Sequence, residues 1–82
     1  MRSKKKRLIV LNGKRMDTRE HAHSHLARQF RLPSWYGRNL DALCDCLGEI
    51  NAPTVILLRN ARMMKQSLGD YGGKLVSVLS AM

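Results

Sequence analysis

Leu32-Pro33-Ser34-Trp35-Tyr36-Gly37-Arg38-Asn39-Leu40-Asp41-Ala42-Leu43-Cys44-Asp45-Cys46-Leu47 falls into two parts of different chemistry. Pro33 pushes Leu32 out of helical geometry and ends whatever helix precedes it. Ser34-Trp35-Tyr36-Gly37-Arg38 is a connecting loop that holds Trp35 and Tyr36, two of the few aromatics in the chain. Asn39 is a good N-cap, and Leu40, Leu43, Leu47 and Ile50 then recur at helical spacing, which predicts a helix to about Ile50. At steps of four residues Asp41, Asp45 and Glu49 line one flank of that helix, beside its leucine face. Like charges so spaced cost an isolated helix roughly 0.2–0.5 kcal/mol per pair. Asp41 gains from the helix N-terminus, but Glu49 sits at the unfavourable C-terminal end. Half of the six acids of the chain gather here. With exposed rings beside them they make a binding hot spot. The loop leaves a second outcome open, with one or both rings packed into the core.

Outward from this unit the chain reads as alternating strands and helices. Leu8-Ile9-Val10-Leu11 is an uninterrupted β-prone run, the pattern of a strand covered on both faces. Asn12-Gly13 turns the chain. Asp17 is the expected N-cap of a first helix, with Glu20 three residues on, and the helix runs to about Phe30 through Ala22, Leu26 and Ala27. After Pro53, Thr54-Val55-Ile56-Leu57-Leu58 is a second buried strand. Asn60 is the expected cap of a third helix to about Leu68, closed by Gly69, and a last helix covers about Lys74 to Met82. The order β-α-α-β-α-α makes an α/β fold of about four helices, with two strands as a parallel pair in right-handed crossover. Two strands make a poor sheet. A third strand is missing after Leu79–Met82, so the domain at 8–82 is read as open to C-terminal truncation.

Eighty-two residues, 44% hydrophobic and 26% charged, suit one small globular domain and not a disordered chain. The apolar runs are too short for a bilayer helix or a secretory signal, which gives the expectation of a cytoplasmic protein with no membrane partner. Fifteen Lys/Arg against six Asp/Glu give a formal charge of +9. Residues 1–7 form a flexible basic arm holding Arg2, Lys4, Lys5, Lys6 and Arg7. The whole is a basic body with one acidic spot.

Other constellations carry less. Cys44 and Cys46, two apart on a helix, cannot bridge each other, and no second pair completes a zinc site; they read as reduced thiols, with Cys46 toward the core. His21, His23 and His25 fall short of a metal site, since only His21 and His25 share a face, and they read as ordinary surface histidines. Gly69-Asp70-Tyr71-Gly72-Gly73-Lys74 has the wrong spacing for a phosphate loop and Leu75 where Ser or Thr should follow; its glycines read as a turn. Acid/base catalysis needs an apolar pocket and a cleft, which adjacent turns of one exposed helix do not offer. The expectation is a protein with no catalytic residues, cofactor or metal.

The run Leu32–Leu47 resembles the signature of the barstar family, intracellular inhibitors and immunity proteins for ribonucleases. The likeness extends through Leu8–Gly13 and Thr54–Leu58 to the last helix. It implies a barstar-like small parallel sheet packed with helices, and blockade of a basic ribonuclease active site by an acidic helix that mimics RNA phosphates. On that likeness Asp45 enters the phosphate site, Asp41 is its neighbour one turn back, and Trp35, Gly37 and Asn39 are loop contacts. Cys44 stands where the family usually carries an aromatic contact. Ser80-Ala81-Met82 offers no counterpart to a carboxylate that the family can place on its last helix, and Glu49 stands as a partial replacement in charge. The implied partner is an extracellular-type or toxin ribonuclease. The alternative is a nucleic-acid-binding module that works through Arg2, Lys4, Lys5, Lys6, Arg7 and the basic first helix.

Overall fold

The computed structural model describes residues 7–81. Its elements are β1 (Arg7–Asn12), a 3-10 turn (Gly13–Arg15), α1 (Arg19–Phe30), α2 (Leu40–Gly48), β2 (Thr54–Arg59), α3 (Ala61–Leu68) and α4 (Asp70–Ser80). The fold is the expected α/β one, with β1 and β2 paired in parallel from Arg7↔Thr54 to Asn12↔Arg59. Among the described residues the sheet has these two strands. Arg7, read as the end of the arm, is the first residue of β1 and donates its backbone N–H to Pro53 O at 2.8 Å. Arg2, Lys4, Lys5 and Lys6 lie outside the described residues.

The core forms where the helices meet one face of the sheet. Ile9 and Leu11 of β1, Leu26 and Phe30 of α1, Leu43 and Leu47 of α2, and Leu75 and Leu79 of α4 are all buried. Met16 and Met64 are completely buried with them and join the turn after β1 to α3. Fully burying such a side chain stabilises by about 1.5–3 kcal/mol, which is why the apolar spacing of the helices fixes how they face the sheet.

The strands depart from the expected covering on both faces. Leu8 is 63% exposed, and Val55 and Leu57 are each 50% exposed, while their neighbours Ile9, Ile56 and Leu58 turn inward. An uninterrupted apolar run is compatible with one covered face or two; the helices cover one. Side chains alternate along a strand, so every second apolar residue is left outside.

Several caps also differ from their sequence reading. Thr18, not Asp17, caps α1, its Oγ1 accepting from His21 N–H at 3.0 Å. Arg31 in the left-handed region (φ 56°) ends α1 two residues before Pro33. Asn60 precedes α3 as expected but makes no side-chain cap; it has φ 56°, and its Nδ2 donates to Asn12 Oδ1 at 2.9 Å, tying the carboxyl ends of the two strands together. Asn12–Gly13 turns where expected, and a Cβ on Gly13 would lie 2.1 Å from Asn60 O, so only glycine admits the close approach. Gly69, with φ 61°, ends α3. α4 starts at Asp70 rather than Lys74, placing Gly72 and Gly73 inside the helix and not in a turn. Gly72 is buried where α4 packs on α3, and a Cβ there would sit 3.2 Å from Lys65 Cα. Packing has overridden the poor helix propensity of glycine.

Candidate functional site

Asn39 builds the start of α2. Its Oδ1 accepts from Ala42 N–H at 2.7 Å, and its Nδ2 donates to Gly37 O at 3.3 Å, so one side chain caps the helix and braces the loop before it. From this fixed start the helical repeat turns Leu43 and Leu47 into the core, and α2 presents Asp41, Cys44 and Asp45 to solvent. Glu49, the C-cap residue, is also exposed and extends the stripe by one turn. Among the described residues the ion pairs include none with Asp41, Asp45 or Glu49. The stripe thus offers its charge outward, with no described arginine in an ion pair with it.

Trp35 is 73% exposed, and Gly37 and Asn39 are exposed beside it. Tyr36 has the opposite fate and is 6% exposed. Its hydroxyl lies 2.6 Å from His23 Nδ1, and His23 Nε2 lies 2.6 Å from the hydroxyl of Tyr71 on α4. A neutral imidazole suits this arrangement, one nitrogen donating to a tyrosine oxygen and the other accepting from a hydroxyl. Burial, with Arg38 nearby, holds the His23 pKa down, and burial pushes the Tyr36 phenol well above its ordinary range. Arg38 adds a second tether. It takes a left-handed conformation (φ 55°), and its Nη1 donates to Ser24 Oγ at 2.9 Å. The loop is therefore tied to α1 and α4 from beneath while Trp35 projects above.

His23 corrects the reading of three surface histidines, since it is 1% exposed. His25 is half-buried, its Nε2 accepting from Asn12 N–H at 2.9 Å, and only His21 remains on the surface. Polar residues on a helix read as solvated by default; His23 is buried because two tyrosine hydroxyls from distant segments satisfy it. Nothing local signals this, as Tyr71 is 48 residues away. The two thiols also part: Cys44 is exposed and Cys46 half-buried against the core. Burial raises the pKa of Cys46, with Glu49 and Asp45 adding to the rise.

A cleft of about 340 Å³ opens at the N-terminal end of the stripe, lined by Asp41, Asn39, Leu40 and Arg38 together with Arg19, Glu20, His23 and Tyr71. Arg19 lies over the Tyr71 ring, 4.3 Å from its centroid, and so closes one side of this cleft by a cation–π contact. The structure brings the loop residues and the first acids of α2 to one surface, with Glu49 at the far end of the stripe.

Comparison with known proteins agrees with the β-α-α-β-α-α fold. Residues 6–82 match the family described as Barstar (barnase inhibitor). Over 74 residues the chain is 35% identical to the Bacillus subtilis (strain 168) protein named "Putative ribonuclease inhibitor YrdF", a match spanning 89% of this chain and 81% of that protein. A family match over nearly the whole length places the chain in the barstar family.

Proposed function

We propose that the protein inhibits a ribonuclease by setting α2 and the Trp35 loop into the enzyme's cationic RNA-binding cleft, acting in the cytoplasm as immunity against an extracellular-type or toxin enzyme. The family is one of inhibitors and not of enzymes, so the protein has no reaction of its own. The observation that carries the reading is the exposed stripe Asp41, Asp45 and Glu49, unpaired among the described residues on a chain of formal charge +9. A ribonuclease must hold phosphates, and carboxylates about one helical turn apart offer it anions in a fixed row. Trp35 supplies flat apolar area of the kind that anchors an interface, and it does so on a loop already held by Tyr36 and Asn39, which lowers the entropy lost on binding. Cys44, between Asp41 and Asp45, contributes a small contact at the centre of the face. The net positive charge slows the encounter with a basic enzyme, so affinity rests on close contacts more than on long-range steering.

The test is titration of barnase, cleaving RNA, with the full chain. Saturable inhibition is expected, weakened far more by Asp45→Ala than by His21→Ala, an exposed change on α1. Equal effects of the two substitutions would remove α2 as the inhibitory element.

A further inference from the structure

The turn after β1 and one flank of α1 enclose a groove that the acidic face does not use. It measures about 620 Å³ and is lined by the cations Lys14, Arg15 and Arg28, by His21 and His25, and by Asp17 as its acid. Lys14, Arg15 and Arg28 are exposed, and among the described residues the ion pairs include none of the three. Asp17 makes no ion pair with them among the described residues; its Oδ1 lies 2.6 Å from Nδ1 of His21. His25 adds a neutral donor: its Nε2 is occupied by Asn12 N–H, so the ring proton is on Nδ1. The groove opens at the turn after β1 and runs along α1 beside that strand, where Gln29 Nε2 donates to Val10 O at 2.7 Å.

We propose that this groove binds the phosphodiester backbone of single-stranded RNA through Lys14, Arg15 and Arg28. Guanidinium groups meet phosphate oxygens in bidentate pairs, and the three cations stand on two elements, so they are spaced along a path rather than gathered on one ion. The exposed ring of His21 gives an unpaired base a surface to stack on, which a duplex would withhold. A chain of formal charge +9 attracts any polyanion from a distance, and this groove gives the attraction a place to end. On α1, His21, His25 and Arg28 face the groove, whereas Glu20 and His23 face the cleft beside Asp41. RNA and a protein on α2 therefore occupy different flanks of one helix, and either reading can fail without the other.

Groove and arm are separable by substitution. Arg7 begins β1 and Asn12 ends it, about 16–17 Å of strand before Lys14 and Arg15, whereas the Arg28 end of the groove lies nearer Arg7, whose Nη2 donates to Phe30 O at 3.5 Å. The experiment is fluorescence anisotropy with a labelled single-stranded RNA of about twelve nucleotides and the full chain, across a salt series. The wild type binds, and affinity falls as salt rises. Arg15→Ala with Arg28→Ala, both exposed changes, weakens binding about 25-fold at about 0.1 M salt and flattens the log–log salt slope by about 1.4, the value for two phosphate contacts on a single strand. Lys14→Ala with Arg28→Ala does the same, and Ser77→Ala, an exposed change on α4, binds RNA as the wild type does. The proposal is overturned if both double variants bind as the wild type does, or if only deletion of residues 1–6 abolishes binding. It is equally overturned if no binding occurs at about 0.1 M salt. Displacement of RNA by inorganic phosphate, beyond what chloride does at equal ionic strength, would assign the groove to the free ion instead.

Discussion

Trp35 and Tyr36 are neighbours in the chain and opposites in the molecule. One ring is 73% exposed and carries nothing of the fold; the other is 6% exposed and hydrogen-bonded through His23 to a different helix. The same division extends to the regions around them. Above lie Asp41, Asp45 and Glu49, charged and unpaired among the described residues; below lies a polar cluster satisfied within itself. The contrast teaches that the displayed face depends on an anchored one. A rigid row of anions costs little extra entropy on binding only if something else has already fixed the loop and the start of α2. Display and anchoring are then separate properties, and substitutions can move one without the other.

The largest effect is expected at Asp45. Truncating one member of a desolvated charge pair at an interface costs about 2–5 kcal/mol, a range that rests in part on measurements within this family. Asp45→Ala should weaken inhibition of barnase by that amount while leaving the urea midpoint unchanged; a matching loss of stability would mean that the stripe is part of the fold. His23→Leu should do the reverse. It strands the hydroxyl of Tyr36 in the core, at about 1–3 kcal/mol, and that loss should appear in urea unfolding. Adding Tyr36→Phe should recover part of it, and simple additivity of the two changes would show that the ring and hydroxyl do not act as a unit.

Trp35→Ala should cost about 2 kcal/mol of inhibition, the threshold of an interface hot spot, with no change in stability. The acid side of the pH range sharpens the contrast further. Because folding holds His23 below its ordinary value of 6.5, the unfolded chain takes up the proton first as pH falls. Stability is full above that value and is lost as pH falls toward the folded-state pKa, at up to about 1.4 kcal/mol per pH unit for one group. His25 acts in the same direction. Urea midpoints should therefore drop between about pH 7 and pH 5, and less steeply in His23→Leu than in the wild type. The smallest effect lies in α4, where a Cβ on Gly73 meets nothing within 4 Å. Gly73→Ala should add about 0.5–1 kcal/mol of stability without altering inhibition, and a changed inhibition constant would place α4 in the displayed face.

Much of the candidate face could be read from residues alone. Asn39 is a cap by its chemistry, and the period of Leu40, Leu43 and Leu47 orients α2, so the outward position of Asp41 and Asp45 follows from counting. The groove under Lys14 and Arg15 could not be read in this way. Its walls come from a turn and a helix whose relative placement depends on Met16, Leu26 and Leu11 packing together, and the basic residues gave no sign of facing one another. Asn60 shows the same limit at a cap: its type was right for the position, yet its amide serves Asn12 across the sheet.

Order and type of the elements, the capped acidic helix and the glycine turn at Asn12-Gly13 were determined by local chemistry: cap hydrogen bonds, apolar periodicity and backbone freedom act within a few residues. Tertiary structure decided which of two adjacent rings turns inward, that His23 is buried, that α4 runs through its own glycines, and that the sheet is covered on one side. These outcomes depend on partners tens of residues away, and burial is a property of what the rest of the chain brings to a position.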